Sequence, residues 1–128
     1  MPGRLFLIHW QADEAAALAR PLCDAGWQVE IECEDGARAC RRLLASPPDV
    51  VVVYLTRLPS HGRVTIAHLR TRPAGQALPV LFVGGQRDAL AKVRAAVPDA
   101  EFLAASELPA ALERFGAAKG AGEGGAQS

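Results

Sequence analysis

Four consecutive valines, Val50 to Val53, constrain this chain more than any other stretch. A continuous apolar run of strand length has no wet face, so it belongs at the centre of a sheet covered on both sides, the usual environment of parallel strands. Leu5 to Ile8 and Val80 to Val83 are runs of the same kind, and helical patterns separate them. Asp13 is expected to cap a helix reaching about Cys23, with Ala17, Leu18 and Leu22 inward and Gly26 in the left-handed turn that ends it. Pro21 removes the amide that would bond Ala17, at a cost of about 3 kcal/mol in a regular interior, so a bend or an early finish is expected there. Trp27 to Glu32 alternates apolar and polar residues, which places the second strand near the sheet edge with one wetter face.

Asp35 caps a second helix, Gly36 to Ala45, which Ser46-Pro47-Pro48 stops. After the loop Arg57 to Gly62 a short helix is expected, with Val64, Ile66, Ala67 and Leu69 inside, then a breaker at Arg72-Pro73-Ala74-Gly75. Gly84-Gly85 follows the fourth strand and leads into a helix over Asp88 to Val97, where Ala89, Leu90, Val93 and Val97 share a face and Pro98-Asp99 ends it. Phe102-Leu103 anchors a fifth strand. The last helix, Glu107 to Phe115, turns Leu108, Ala111, Leu112 and Phe115 inward. Gly116 to Ser128 is rich in Gly and Ala, and is expected to be a disordered tail or linker beyond a single domain over residues 1–115. Five strands alternating with five helices through short connections specify a doubly wound, flavodoxin-like α/β domain with a parallel sheet. With the third strand most apolar and the second amphipathic, the expected order is 2-1-3-4-5, and a cleft lies outside the carboxyl ends of strands one and three.

A chain of 128 residues holds one core rather than two. Lys plus Arg and Asp plus Glu number 14 each, so no bulk field draws this domain to nucleic acid or an anionic membrane. Three cysteines, Cys23, Cys33 and Cys40, are odd in number and lack metal-type spacing, and the N-terminus lacks the long apolar core of a signal peptide, so a reduced, cytoplasmic protein is expected. No run approaches the roughly 18 apolar residues of a membrane helix.

Taken in order, these segments resemble the receiver domain of two-component response regulators over Arg4 to Phe115. Pro48-Asp49 and the valines, then Leu58-Pro59 and Gly62, resemble that family's third strand and following loop, and Pro79 before Val80 to Val83 resembles its fourth strand. The resemblance implies an acidic pair at the end of strand one to hold Mg²⁺, a hard cation that wants carboxylate oxygens; here those positions are His9 and Trp10. It implies an aspartate nucleophile at the end of strand three, where Tyr54 stands. Pro59 falls one residue later than in the family, so Tyr54 or Leu55 is the equivalent; neither forms an acyl phosphate. The hydroxyl residue ending strand four is replaced by Gly84, and the lysine ending strand five by Ala105, with Ser106 in place of the proline that usually follows. Losing metal ligands, nucleophile, hydroxyl and cation together removes every source of charge stabilisation for phosphoryl transfer. The resemblance is thus to a degenerate receiver, a pseudo-receiver.

Phe102 matches the aromatic that switches between exposed and buried states in the family, or it simply fills a strand position. His9, His61 and the Tyr54 hydroxyl could converge on a metal, or His9 and Trp10 could plug the vacated pocket with aromatic volume. His68 is expected at the surface. Cys23 and Cys40 lie at core spacing and are expected to be buried rather than reactive. Gly84-Gly85 with Arg87 could offer an anion site, though no nucleotide-binding glycine motif occurs. Arg38, Arg41 and Arg42 form either a phosphate or acidic-partner site or a solvated helix face. In the family, the face made by helix four, strand five and helix five commonly mediates dimers or output contacts; here its candidates are Arg87, Lys92, Glu101, Phe102, Ala110 and Arg114. The expectation is a non-enzymatic domain without cofactor or metal that docks to a partner protein or to itself. The alternative is a sensor of a small molecule or anion. Chemistry by Tyr54 with His9 or His61 as base is a third option.

Overall fold

The computed structural model describes residues 3–122, with side chains through Phe115. Strands β1 (Arg4–Ile8), β2 (Gln28–Glu32), β3 (Val50–Tyr54), β4 (Val80–Val83) and β5 (Glu101–Leu103) form one parallel sheet in the order β2-β1-β3-β4-β5. Helices α1 (Ala12–Asp24), α2 (Gly36–Ala45), α3 (Pro59–Leu69), α4 (Pro73–Gln76), α5 (Arg87–Ala96) and α6 (Leu108–Gly122) connect and follow the strands. The doubly wound fold and its strand order are those expected.

Period-two alternation splits the core in two. Val51 and Val53 join Phe6, Ile8 and Phe82 against Cys40 and Leu43 of α2, Ile66 and Leu69 of α3, and Val93 of α5. Val50, Val52 and Tyr54 join Leu5, Leu7, Leu81 and Val83 against Ala15 and Ala19 of α1 and Leu108, Ala111 and Leu112 of α6. All four valines are fully buried, each contributing roughly 1.5–3 kcal/mol relative to an exposed side chain. Among the described residues, no helix is long and apolar enough to cross a membrane.

Several local expectations are corrected. Gln11, not Asp13, caps α1: its Oε1 accepts the Glu14 N–H at 2.7 Å. The helix passes through Pro21 and ends only at Asp24; Pro21 and Ala17 both face solvent, where water can satisfy the carbonyl that proline leaves without a donor. Ala17 is therefore outside, and Ala15 and Ala19 are the buried alanines. Cys40 is buried and donates its thiol to the Thr65 carbonyl at 3.3 Å, but Cys23 is exposed near the end of α1. Val64 is 60 % exposed, and Thr65 takes the inward place beside Ile66 and Leu69. The segment read as a breaker forms the four-residue helix α4, pinned where Arg70 donates to the carbonyls of Gly75 and Leu78 at 2.6 and 2.8 Å. Helix α6 continues past Phe115 to Gly122, through Ala117-Ala118-Lys119, residues of high helix propensity. The rest of the expected tail, residues 123–128, lies outside the described residues.

Candidate functional site

The carboxyl ends of β1 and β3 lie side by side, Ile8 level with Val53, and the residues just beyond them meet in space. His9 is 1 % exposed. Its Nδ1 accepts the Gln11 N–H at 3.2 Å, so the proton of the neutral ring sits on Nε2, 3.3 Å from Glu14 Oε1. The Tyr54 ring lies 5.4 Å from the imidazole, centroid to centroid, and is 6 % exposed. Burial lowers the His9 pKa; Glu14 opposes that shift and the Arg57 charge adds to it. Burial also pushes the Tyr54 phenol up.

Glu14 and Arg57 cross over this pair. The Arg57 guanidinium donates to both Glu14 oxygens, with Nε 3.3 Å from Oε1 and Nη2 on Oε2. That bond holds the Glu14 carboxyl below its usual range and raises Arg57. The carboxylate beside His9 is therefore already engaged by a cation.

Trp10 does not join His9. Its ring packs on the opposite core, against the α2, α3 and α5 side of the sheet, 5.7 Å from the exposed His61 ring. The sequence expectation that His9, His61 and Tyr54 might gather is replaced by two separate ring pairs, His9 with Tyr54 and Trp10 with His61. Trp10 Nε1 is buried without a hydrogen-bond partner, which costs about 1–3 kcal/mol. Among the described residues no group of three or more His, Cys, Asp or Glu is placed to hold a metal ion.

Gly84 and Gly85 end β4 in left-handed conformations, φ +75° and +95°, and the Gly84 N–H donates to the Leu103 carbonyl at 2.9 Å. A Cβ on Gly85 would stand 3.0 Å from Leu55 Cβ. Ala105 opens an exposed 3₁₀ turn, Ala105–Glu107, with no charge of its own. Open volume lies one loop away, in a crevice of about 510 Å³ walled by Leu55, Thr56, Pro59, Gly85, Gln86 and Asp88. His9, Trp10 and Tyr54 are not among its walls; at the ends of β1 and β3 the His9 and Tyr54 rings are buried beside each other.

On the candidate interaction face, Arg87, Lys92, Ala110 and Arg114 are exposed. Arg114 Nη2 bonds both oxygens of Glu101, at 2.8 and 2.7 Å. Phe102 is half-buried, stacked on Phe82 at 5.3 Å with the Arg94 guanidinium 4.5 Å from its ring. Of the basic helix cluster, Arg38 and Arg42 turn back onto the sheet edge. Glu32, 1 % exposed, accepts two bonds of 2.7 Å from Arg38 and one of 3.4 Å from Arg42. Arg41 alone of the three makes no ion pair among the described residues.

Glu14 and Arg57 are the residues that sequence reasoning missed. The available signal was a charge of each sign soon after the carboxyl ends of adjacent strands, Glu14 in the first turn of α1 and Arg57 in the loop after Tyr54.

No protein-family model matches this chain, and no curated protein matches it. Solved structures do resemble it. A response regulator from Chloroflexus aurantiacus superposes with a TM-score of 0.74 at 21 % identity, over 90 % of this chain and 98 % of the other. The chemotaxis protein CheY4 of Vibrio cholerae gives 0.73 at 16 %, over 90 % and 99 %. The receiver domain of a sensor histidine kinase from Pseudomonas aeruginosa, with a magnesium ion in its active-site cleft, gives 0.70 at 21 %, over 90 % and 98 %. The fold of this chain is that of response-regulator receiver domains.

Proposed function

We propose that this chain is a receiver-like signalling domain of a two-component pathway in the bacterial cytoplasm that does not accept a phosphoryl group and acts by docking to another protein or to a copy of itself. The observation that carries this reading is the filled end of the sheet. His9 and Tyr54 occupy the ground where carboxylates would bind Mg²⁺ and attack phosphorus, and the nearby carboxylate, Glu14, is tied to Arg57. Histidine, tryptophan and tyrosine side chains at these strand ends supply no carboxylate pair to hold a hard divalent cation, and without that cation the charge of phosphoryl transfer has no counterion. Arg87, Lys92, Glu101, Phe102, Ala110 and Arg114 are the residues we assign to a docking face.

Incubation with acetyl phosphate and Mg²⁺ followed by intact-mass measurement tests the chemical half. We expect the mass to stay unchanged; a hydroxylamine-labile gain of one phosphoryl group contradicts the reading. A second reading, a small-molecule or anion sensor, is favoured by the crevice of about 510 Å³ beside Gly85 and Asp88. Its sign would be saturable ligand shifts confined to that crevice.

A further inference from the structure

The net charge of zero conceals a strong polarity along the chain. Residues 36–87 contain eight arginines, His61 and His68, and a single acidic residue, Asp49; four of the arginines, Arg38, Arg42, Arg57 and Arg70, are paired with carboxylates from outside that stretch. Asp49 sits at the amino end of β3, where its Oδ2 accepts the Arg4 N–H at 2.8 Å. Neither α2 nor α3 carries a carboxylate.

These two helices pack side by side and leave a groove of about 500 Å³ between them. Its lining includes Ala37 and Cys40 from α2 and His61, Val64, Thr65 and His68 from α3. The floor is apolar and firm, because the buried Cys40 thiol is bonded to the Thr65 carbonyl. Val64 and Leu58 are the two exposed large hydrophobic residues among those described. Val64 stands on the groove, and Leu58 holds the N-terminus of α3 in a left-handed conformation at φ 44° that costs a non-glycine residue of order 1–3 kcal/mol. Arg41 follows Ala37 by one helical turn on the same strip of α2 and, like His61 and His68, is exposed and makes no ion pair among the described residues.

We infer that the α2–α3 groove binds an acidic amphipathic helix of a partner protein, its apolar face on Val64, Ala37 and Cys40 and its carboxylates toward Arg41, His61 and His68. This rests on the docking reading above and adds a second face, on the α2 side of α3, with the partner's chemistry. Charge complementarity favours such an occupant over a symmetric pairing of two copies through this groove, which would set the same Arg41, His61 and His68 against each other. An apolar floor between two helices suits side-chain anchors spaced i, i+3, i+4 and i+7, whereas a nucleic-acid backbone asks for a line of cations.

The test is an amide NMR titration of the full chain with a synthetic amphipathic peptide bearing Leu at those anchor positions and Glu elsewhere, beside a twin bearing Lys, and a single-stranded oligonucleotide. We expect saturable shifts at Ala37, Cys40, His61, Val64, Thr65 and His68 with the Glu peptide. Affinity should fall at least about tenfold for the Lys twin, for Arg41→Glu and for Val64→Glu, both exposed positions that leave the fold intact. Equal binding of the Lys twin, preference for the oligonucleotide, no shift at the groove, or the same shifts on simple concentration of the free chain would each overturn the inference. Shifts confined to Arg87, Lys92 and Arg114 would overturn the groove yet leave docking standing. Phosphoryl transfer from acetyl phosphate would remove the wider reading whatever the groove does.

Discussion

Tyr54 ends β3 with its ring packed on His9, and each residue has the character its surroundings dictate: a phenol kept protonated and an imidazole kept neutral. Tyr54→Asp should not restore phosphate chemistry. It would bury a carboxylate whose natural counter-cation, Arg57, is committed to Glu14, and urea unfolding should show a loss of roughly 3 kcal/mol or more. Tyr54→Phe should stay within about 1 kcal/mol of the native protein. For His9 the sign follows from protons bound. Its folded pKa lies below the ordinary 6.5, so just below pH 6.5 the unfolded chain binds the extra proton and stability rises with pH, levelling off above that value. His9→Gln should flatten that slope in urea midpoints taken across the window. Gly85→Ala places a side chain at φ +95° and against Leu55, and should cost about 1–3 kcal/mol in the same assay.

Strand β2 is a sheet edge whose last residue, Glu32, is buried and gathers Arg38, Arg42 and the N–H groups of Glu34 and Asp35. The Arg38 bond, ahead of the two backbone bonds, lowers the Glu32 pKa from 4.5 to about 2. A depressed carboxyl stabilises the fold above its unfolded pKa, and that share is lost as pH falls from about 4.5 toward about 2. Because Arg38 is half-exposed, the share is about 2 kcal/mol after screening; Glu32→Gln should remove it at neutral pH and abolish the acid slope in unfolding curves. At this scale the sequence was most readable where burial is symmetrical. The runs Leu5–Ile8, Val50–Val53 and Val80–Val83 had no other place to go, and Asp35 capped α2 through the N–H groups of Ala37 and Arg38 as expected. Less legible were features decided by which way a helix faces. Pro21 survives inside α1 because it looks to solvent, Val64 and Thr65 exchange their expected places, and α4 forms from a Pro-Ala-Gly segment because Arg70 reaches across to its carbonyls.

For the whole molecule, strand order was legible because the most apolar run had to be central and the alternating one lateral. The missing carboxylates could be read directly from His9, Trp10 and Tyr54. That His9 and Trp10 diverge to opposite faces, that Glu14 pairs with Arg57, and that a crevice lies beside Gly85 could not, since each depends on contacts between segments far apart in sequence. Likewise a balanced total of charges hid a stretch poor in carboxylates, which the packing of α2 on α3 turns into a groove flanked by Arg41, His61 and His68. The central claim is that this receiver fold has no working phosphoryl site. An amide NMR titration with Mg²⁺ and then beryllofluoride, a mimic of an aspartyl phosphoryl group, tests it most directly. The account predicts a flat response at His9, Tyr54, Gly84, Phe102 and Ala105, and saturable shifts clustered at those residues would contradict it.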